Sequence, residues 1–239
     1  MNTSDSQFLV TCEHGGREVP AEFADAFAGK EAHGWLESHR GYDPGSLAAA
    51  RQIASALAAR LVASTTTRLL VDLNRSLASD TVFSKFTRGL PAVRQQTIID
   101  EYYTPYRASV SAAIESIVTH KRAAVHFSVH TFTPRITGKW RPYELGLLYD
   151  PAAELESAFC SEWKRRIAIA GPQLRTRLNE PYAGTDDGLT TTLRRRFAPS
   201  QYLGIEIEIN NRLFKHAQKR QQAMVATLIQ QLPEVTRVV

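Results

Sequence analysis

Short apolar runs recur along this chain, and each stops on a charged or hydrogen-bonding cluster. Phe8 to Cys12 ends at Glu13-His14-Gly15-Gly16, Leu69 to Val71 at Asp72-Leu73-Asn74-Arg75, and Ala124 to Val129 at His130. Leu145 to Leu148 ends at Tyr149-Asp150, and Leu174 to Leu178 at Asn179-Glu180. The run Tyr202 to Ile209 itself carries Glu206 and Glu208 before Asn210. Short runs separated by stretches of helical periodicity predict an α/β fold, a mostly parallel mixed sheet flanked by helices on both faces. In such sheets the carboxyl ends of the strands share one edge, where ligands bind. The polar clusters are therefore expected to meet in one crevice.

The intervening segments set the predicted elements. A helix over 46–63 presents Leu47, Ala50, Ile53, Leu57 and Leu61 as a buried stripe, with Pro44 upstream and Ser46 as N-cap. A strand over 68–73 follows. A helical stretch over 91–120 is expected to kink or break at Pro105. Another helix runs from Pro151 to Ala170, stopped by Gly171-Pro172, and a terminal one covers 211–232. The segments 15–45, 135–141 and 179–189 read as loops. No repeat, linker or composition shift divides the chain, so one domain over residues 1–239 is expected.

Composition narrows the picture in a few places. The formal charge of +5 is spread along the chain, with basic crowding at 164–166, 194–196 and 215–220. Such crowding reads as solvated helix face, and no zinc-finger spacing or aromatic-basic signature points to nucleic acid. A basic balance suits an anionic small molecule. The two cysteines make no disulfide framework, and Cys12, closing an apolar run, reads as a buried small residue. The polar amino terminus has no signal-peptide pattern, and no window approaches the ~18 apolar residues of a membrane span. A cytoplasmic protein without membrane contact is expected.

Catalytic zinc takes three protein ligands from His and Asp/Glu and keeps one position for water. His14 and His130 stand where strands give way to loops, whereas His33, His39, His120 and His216 lie in polar surroundings that need no special role. His126 shares a strand face with Ser128 and His130 and reads as buried in the sheet. For the third ligand the candidates are Asp43, in a glycine-rich loop before a helix, and Glu13, with Asp43 preferred. Arg75 offers a planar fork that matches a substrate carboxylate, with Asn74 beside it to fix its orientation. Arg68 could reach a developing oxyanion, and Arg141, closing a basic loop, is a further substrate-binding candidate. Glu206 and Glu208 share one face of an apolar strand, and one of them is the natural general base for a metal-activated water.

The ordered set Thr11 to Gly16 with Pro20, His39 to Gly45, Leu70 to Ser76, Ser128 to Pro134, Gly146 to Asp150, Asn179 to Tyr182 and Gly204 to Asn210 resembles the N-formylglutamate amidohydrolase family. That family is similar in fold to zinc carboxypeptidases and aspartoacylase. The resemblance implies one zinc ion held by His14 and His130, Glu208 as base, Asn74-Arg75 as carboxylate clamp and Arg68 near the oxyanion. Arg17 stands where carboxypeptidases carry a glutamate ligand, so Asp43 or Glu13 must complete the set. Glu13 stands where typical family members carry proline, which points to a divergent branch. The implied reaction removes an N-formyl or N-acyl group from an acidic amino acid such as N-formyl-L-glutamate. A carboxypeptidase-like peptidase and a non-catalytic binder of an anionic ligand or nucleic acid are the competing readings.

Overall fold

The computed structural model describes residues 7–120, 123–214 and 218–234. Residues 215–217 of the predicted terminal helix, with His216, and the polar residues 1–6 lie outside them. Strands β1 (Phe8–Cys12), β2 (Arg60–Ala63), β3 (Ala124–Phe132), β6 (Leu145–Leu148), β7 (Thr176–Leu178) and β8 (Tyr202–Asn210) form one sheet in the order β2-β1-β3-β8-β6-β7. The first four in that order are parallel. β6 pairs antiparallel with β8, and β7 follows β6 in parallel. Two short strands, β4 (Arg135–Ile136) and β5 (Lys139–Trp140), make a separate antiparallel hairpin where a basic loop was expected.

Alternation along the central strands sorts side chains between two apolar layers. Val10, Cys12, Val125, Phe127, Val129, Ile205, Ile207 and Ile209 pack with α2 (Ser46–Ala56), α5 (Glu154–Ala170) and α7 (Gln218–Gln230). On the other side, Leu9, Ala124 and Tyr202 pack with α4 (Thr104–Thr119) and α6 (Leu189–Arg194). Toward the carboxyl end of the strands this second face turns polar, with Thr11, His126, Ser128, His130, Glu206 and Glu208. Helices therefore cover both faces, as the sequence pattern predicts.

Several elements differ from the sequence reading for identifiable reasons. The Ala-rich helix stops at Ala56 because Ala58 adopts a left-handed φ of 48°, and the chain turns directly into β2. The apolar segment 68–73, expected to be a strand, is a series of turns. Leu70 N–H bonds to Thr67 O, Asp72 N–H to Val82 O and Arg75 N–H to Asp72 O. Its apolarity reflects burial of Leu69, Leu70, Val71 and Leu73 in the second core layer rather than sheet pairing. The break expected at Pro105 takes the form of a π-helical turn, Ile99–Tyr103, joining α3 (Ala92–Ile98) to α4 with Pro105 in its first turn. A 3₁₀ segment (Ala21–Phe27) and α1 (Lys30–Leu36) occupy part of the expected loop, and α6 begins where the 179–189 loop ends. Residues 151–153 precede α5, which begins at Glu154. Among the described residues no helix is long and apolar enough to cross a membrane.

Strand direction also corrects the expectation that all polar clusters share one edge. β6 and β7 run opposite to the four parallel strands, so Tyr149-Asp150 lies at the opposite end. There Asp150 accepts from Ala152 N–H at 2.9 Å and its own N–H bonds to Glu156 at 2.9 Å, organising the turn into α5. Asn179, at a left-handed φ of 51°, accepts from the N–H groups of Tyr149 and Gly184 at 3.0 and 3.1 Å. Those clusters are turn chemistry.

Candidate active site

At the carboxyl ends of β1, β3 and β8 a pocket of about 180 Å³ opens between the loops. Its walls carry His14, His39, Asp43, Arg68, Asn74, Arg75, His130, Tyr182, Glu206 and Glu208. The pairing of β3 with β8 sets His130 opposite Glu208 and Ser128 opposite Glu206. Asp43 arrives from the turn before α2, where Gly45 has φ +91° and a Cβ would strike the Phe214 ring at 2.3 Å, so only glycine serves. Ser46, expected to cap α2, is instead its first residue. Its hydroxyl donates to Asp43 O at 2.8 Å and accepts the Cys12 thiol at 3.2 Å.

His14, Asp43 and His130 are all buried, and each offers a ligand atom within 4.8 Å of the others. Asp43 Oδ2 lies 2.9 Å from His130 Nδ1 and 3.4 Å from His14 Nδ1. The opposite ring nitrogens face other carboxylates. His14 Nε2 is 2.7 Å from Asp72 Oδ1, and His130 Nε2 is 3.1 Å from Glu13 Oε2. Glu13 thus lies behind His130 and outside the group that surrounds Asp43. Burial would lower the basicity of His130, but the bonds to Asp43 and Glu13 outweigh it and hold the imidazole well above its ordinary pKa. Asp43 is likewise held below the usual carboxylate range, because His14, His130 and Arg68 outweigh its burial.

Arg68 leaves a turn rather than a strand, and its guanidinium bridges Asp72 Oδ2 at 2.6 Å and Asp43 Oδ1 at 3.4 Å. Arg75 donates to the backbone oxygen of Asp187 and, among the described residues, has no carboxylate partner. Asn74 accepts from Leu189 N–H at 2.7 Å. Arg141 does not line the pocket. Its guanidinium lies over the rings of Phe132 and Tyr182, 5.7 and 5.5 Å from their centroids, and both of those rings do line it. His126 is a satisfied core residue, with its ring nitrogens each 2.8 Å from Thr11 Oγ1 and Tyr202 OH, and burial brings its pKa down to about 4. Cys12 is buried, which pushes its thiol up to about 12.

The pattern missed Asp72 and Glu13 as partners of the histidines, and His39 as pocket wall. Only the contacts reveal those roles. Asp72 was read as part of a strand face with Asn74, whereas its Oδ1 closes a turn by accepting Asn74 N–H at 2.9 Å.

Glu208, also facing the pocket, is perturbed in the opposite direction to Asp43. Gly146 lies against it, where a Cβ would come within 3.2 Å of Glu208 Cβ and 2.0 Å of Glu180 O. Its Oε2 is buried with no hydrogen-bond partner among the described residues. Burial pushes its pKa from 4.5 up to about 8. Between those values the folded chain holds a proton that the unfolded chain has lost, so stability falls as pH rises through this window. Metal-free Glu208→Gln, which mimics the neutral acid, should match the metal-free parent near pH 4.5. By pH 9 it should be more stable by about 4 kcal/mol. Thermal melts of the two chelator-treated proteins at both pH values test this, and a pH-independent gap would refute it.

No curated protein matches the sequence. Among solved structures, the gene product Atu2144 from Agrobacterium tumefaciens is similar at 29% identity and a TM-score of 0.79, over 95% of this chain and 88% of that one. An N-formylglutamate amidohydrolase from Ralstonia eutropha JMP134 shares the fold at 16% identity and a TM-score of 0.71, over 95% and 91% of the two chains. The sequence model of the N-formylglutamate amidohydrolase family matches residues 6–215, and the chain belongs to that family.

Proposed function

We propose that the chain is a zinc-dependent amidohydrolase that removes the N-formyl or N-acyl group from an acidic amino acid such as N-formyl-L-glutamate. The observation that carries this reading is the convergence of His14, Asp43 and His130 beside Glu208 in one pocket. The donor set fits a metal. His14 Nδ1 is buried without a hydrogen-bond partner among the described residues, facing Asp43, and each histidine has a carboxylate on its other nitrogen. Two imidazoles and a carboxylate are a common catalytic zinc set. A zinc ion held by these three side chains would polarise the scissile carbonyl and acidify water in the pocket.

The remaining steps belong to the chain's own residues. Glu208 takes the proton of the attacking water at its unpartnered Oε2 and returns it to the departing amine. Arg75, without a carboxylate partner among the described residues, grips the substrate carboxylate, with Asn74 on the same wall. Arg68 is held by Asp43 and Asp72 with its side chain 26% exposed, and stabilises the oxyanion from there. Arg141 acts indirectly, bracing Tyr182 and Phe132 at the pocket wall. The cavity of about 180 Å³ is small beside the ~300–1,000 Å³ of drug-sized sites, which favours a single amino-acid derivative over a polypeptide.

Purified protein incubated with N-formyl-L-glutamate should release formate. Release should stop with a chelator and return with added zinc. Chelator-resistant release would overturn the zinc reading, and no release from any N-acyl amino acid would overturn the enzyme reading.

A further inference from the structure

Glu13 is a fully buried carboxylate immediately beyond β1. A buried carboxylate is costly unless its oxygens are bonded, and here both are. Oε2 accepts the Ser128 hydroxyl at 2.6 Å and lies 3.1 Å from His130 Nε2, while Oε1 accepts the Tyr106 hydroxyl at 2.8 Å. Ser128 Oγ is itself 2.9 Å from the same Nε2. Three elements, β1, β3 and α4, thus meet on one side chain. Burial alone would raise the Glu13 pKa, but His130, Ser128 and Thr11 hold it well below the usual range.

His14 has a parallel arrangement, with Asp72 on its Nε2 at 2.7 Å. Both imidazoles therefore turn Nε2 to a buried carboxylate and Nδ1 toward Asp43. We propose that Glu13 is a positioning residue for the metal: by accepting from Nε2–H it fixes the tautomer and rotation of His130, leaving the Nδ1 lone pair for the ion. The inference rests on the reading that His14, Asp43 and His130 hold a metal. In Glu13→Gln the amide nitrogen cannot accept, so one of the three donors loses its acceptor. The neutral amide oxygen can serve one side only and accepts more weakly than a carboxylate, which loosens the hold on the Nε2–H of His130. Outer partners of this kind are worth ~10–100-fold in metal affinity.

The test is Zn²⁺ competition against a chromophoric chelator, together with the Co²⁺ absorption spectrum as a signature of the ligand geometry. Glu13→Gln should weaken Zn²⁺ binding by ~10–100-fold and alter the Co²⁺ bands. Tyr106→Phe keeps the carboxylate and its bonds to Ser128 and His130. It should lower the melting temperature but leave Zn²⁺ affinity and the Co²⁺ spectrum at the parent's values. Parental affinity in a folded Glu13→Gln protein would overturn the proposal. Equal weakening in Tyr106→Phe would also overturn it, since that would mark a packing effect. If Glu13→Gln fails to fold, Glu13→Asp decides, because it keeps the buried charge but draws the carboxylate back from His130 Nε2. Weaker Zn²⁺ binding in Glu13→Asp supports the proposal, and unchanged binding overturns it. A parent that binds no Zn²⁺ would instead overturn the metal reading, before any variant is compared.

Discussion

Replacing Glu208 by Gln should lower turnover by ~10²–10⁴ while leaving zinc content unchanged. The substitution keeps shape and packing beside Gly146 but removes the basic oxygen. Glu208 stands opposite His130 in the β3–β8 ladder, outside the group formed by His14, Asp43 and His130. Loss of the carboxylate should therefore stop proton transfer without emptying the metal site. Glu206→Gln is the internal control. Glu206 Oε1 accepts the Thr190 hydroxyl at 2.7 Å, a bond that an amide oxygen can also accept, so its loss should be much smaller. Steady-state kinetics and metal analysis of both variants decide the matter. Equal losses, or zinc missing from Glu208→Gln, would show that the base has been misassigned.

Asp43→Ala should abolish zinc retention and, with it, activity. Its Oδ2 is the atom that both Nδ1 nitrogens face, at 2.9 and 3.4 Å, so no neighbouring group replaces it. The weakening should exceed the ~10–100-fold expected for Glu13→Gln. Arg68 keeps its 2.6 Å contact with Asp72, which limits the damage to the surrounding loop. Metal analysis after dialysis, with circular dichroism to confirm the fold, is the measurement. Stoichiometric zinc in folded Asp43→Ala would show that the ligand set is wrong.

The parts of this architecture that could be read from sequence are those where apolar periodicity and strand pairing coincide. β1, β3 and β8 are such cases, and they carry or adjoin His14, His130, Glu206 and Glu208. Residues 68–73 show where the signal fails. Leu69, Leu70, Val71 and Leu73 are as buried as strand residues, yet their backbone bonds close turns, and periodicity reports burial rather than pairing. The true edge strand, Arg60 to Ala63, was hidden because nothing local but a positive φ at Ala58 ends the preceding helix. Strand direction carries no local signature either, which is why Asp150 was expected at the pocket and sits at the far end. Within the site, the histidines and Asp43 were legible as residue types at loop junctions. Their partners Glu13 and Asp72 required three-dimensional contacts, because a carboxylate 58 positions from His14 leaves no trace in spacing.

The order of the central strands has a consequence for biogenesis. Phe8 pairs with Val125, and Ala124 pairs in turn with Tyr202, so the middle of the sheet closes only across very long stretches of chain. Contacts of such sequence separation form slowly, because loop-closure entropy is lost before any pairing energy is returned. During synthesis His14 and Asp43 emerge long before His130, and Glu208 comes last. A ribosome-bound chain that has not yet made Tyr202 to Asn210 has no partner for β3 on that side and lacks Glu208. The pocket therefore closes only once β8 has paired, and a chain truncated before β8 would lack Glu206 and Glu208 from its wall.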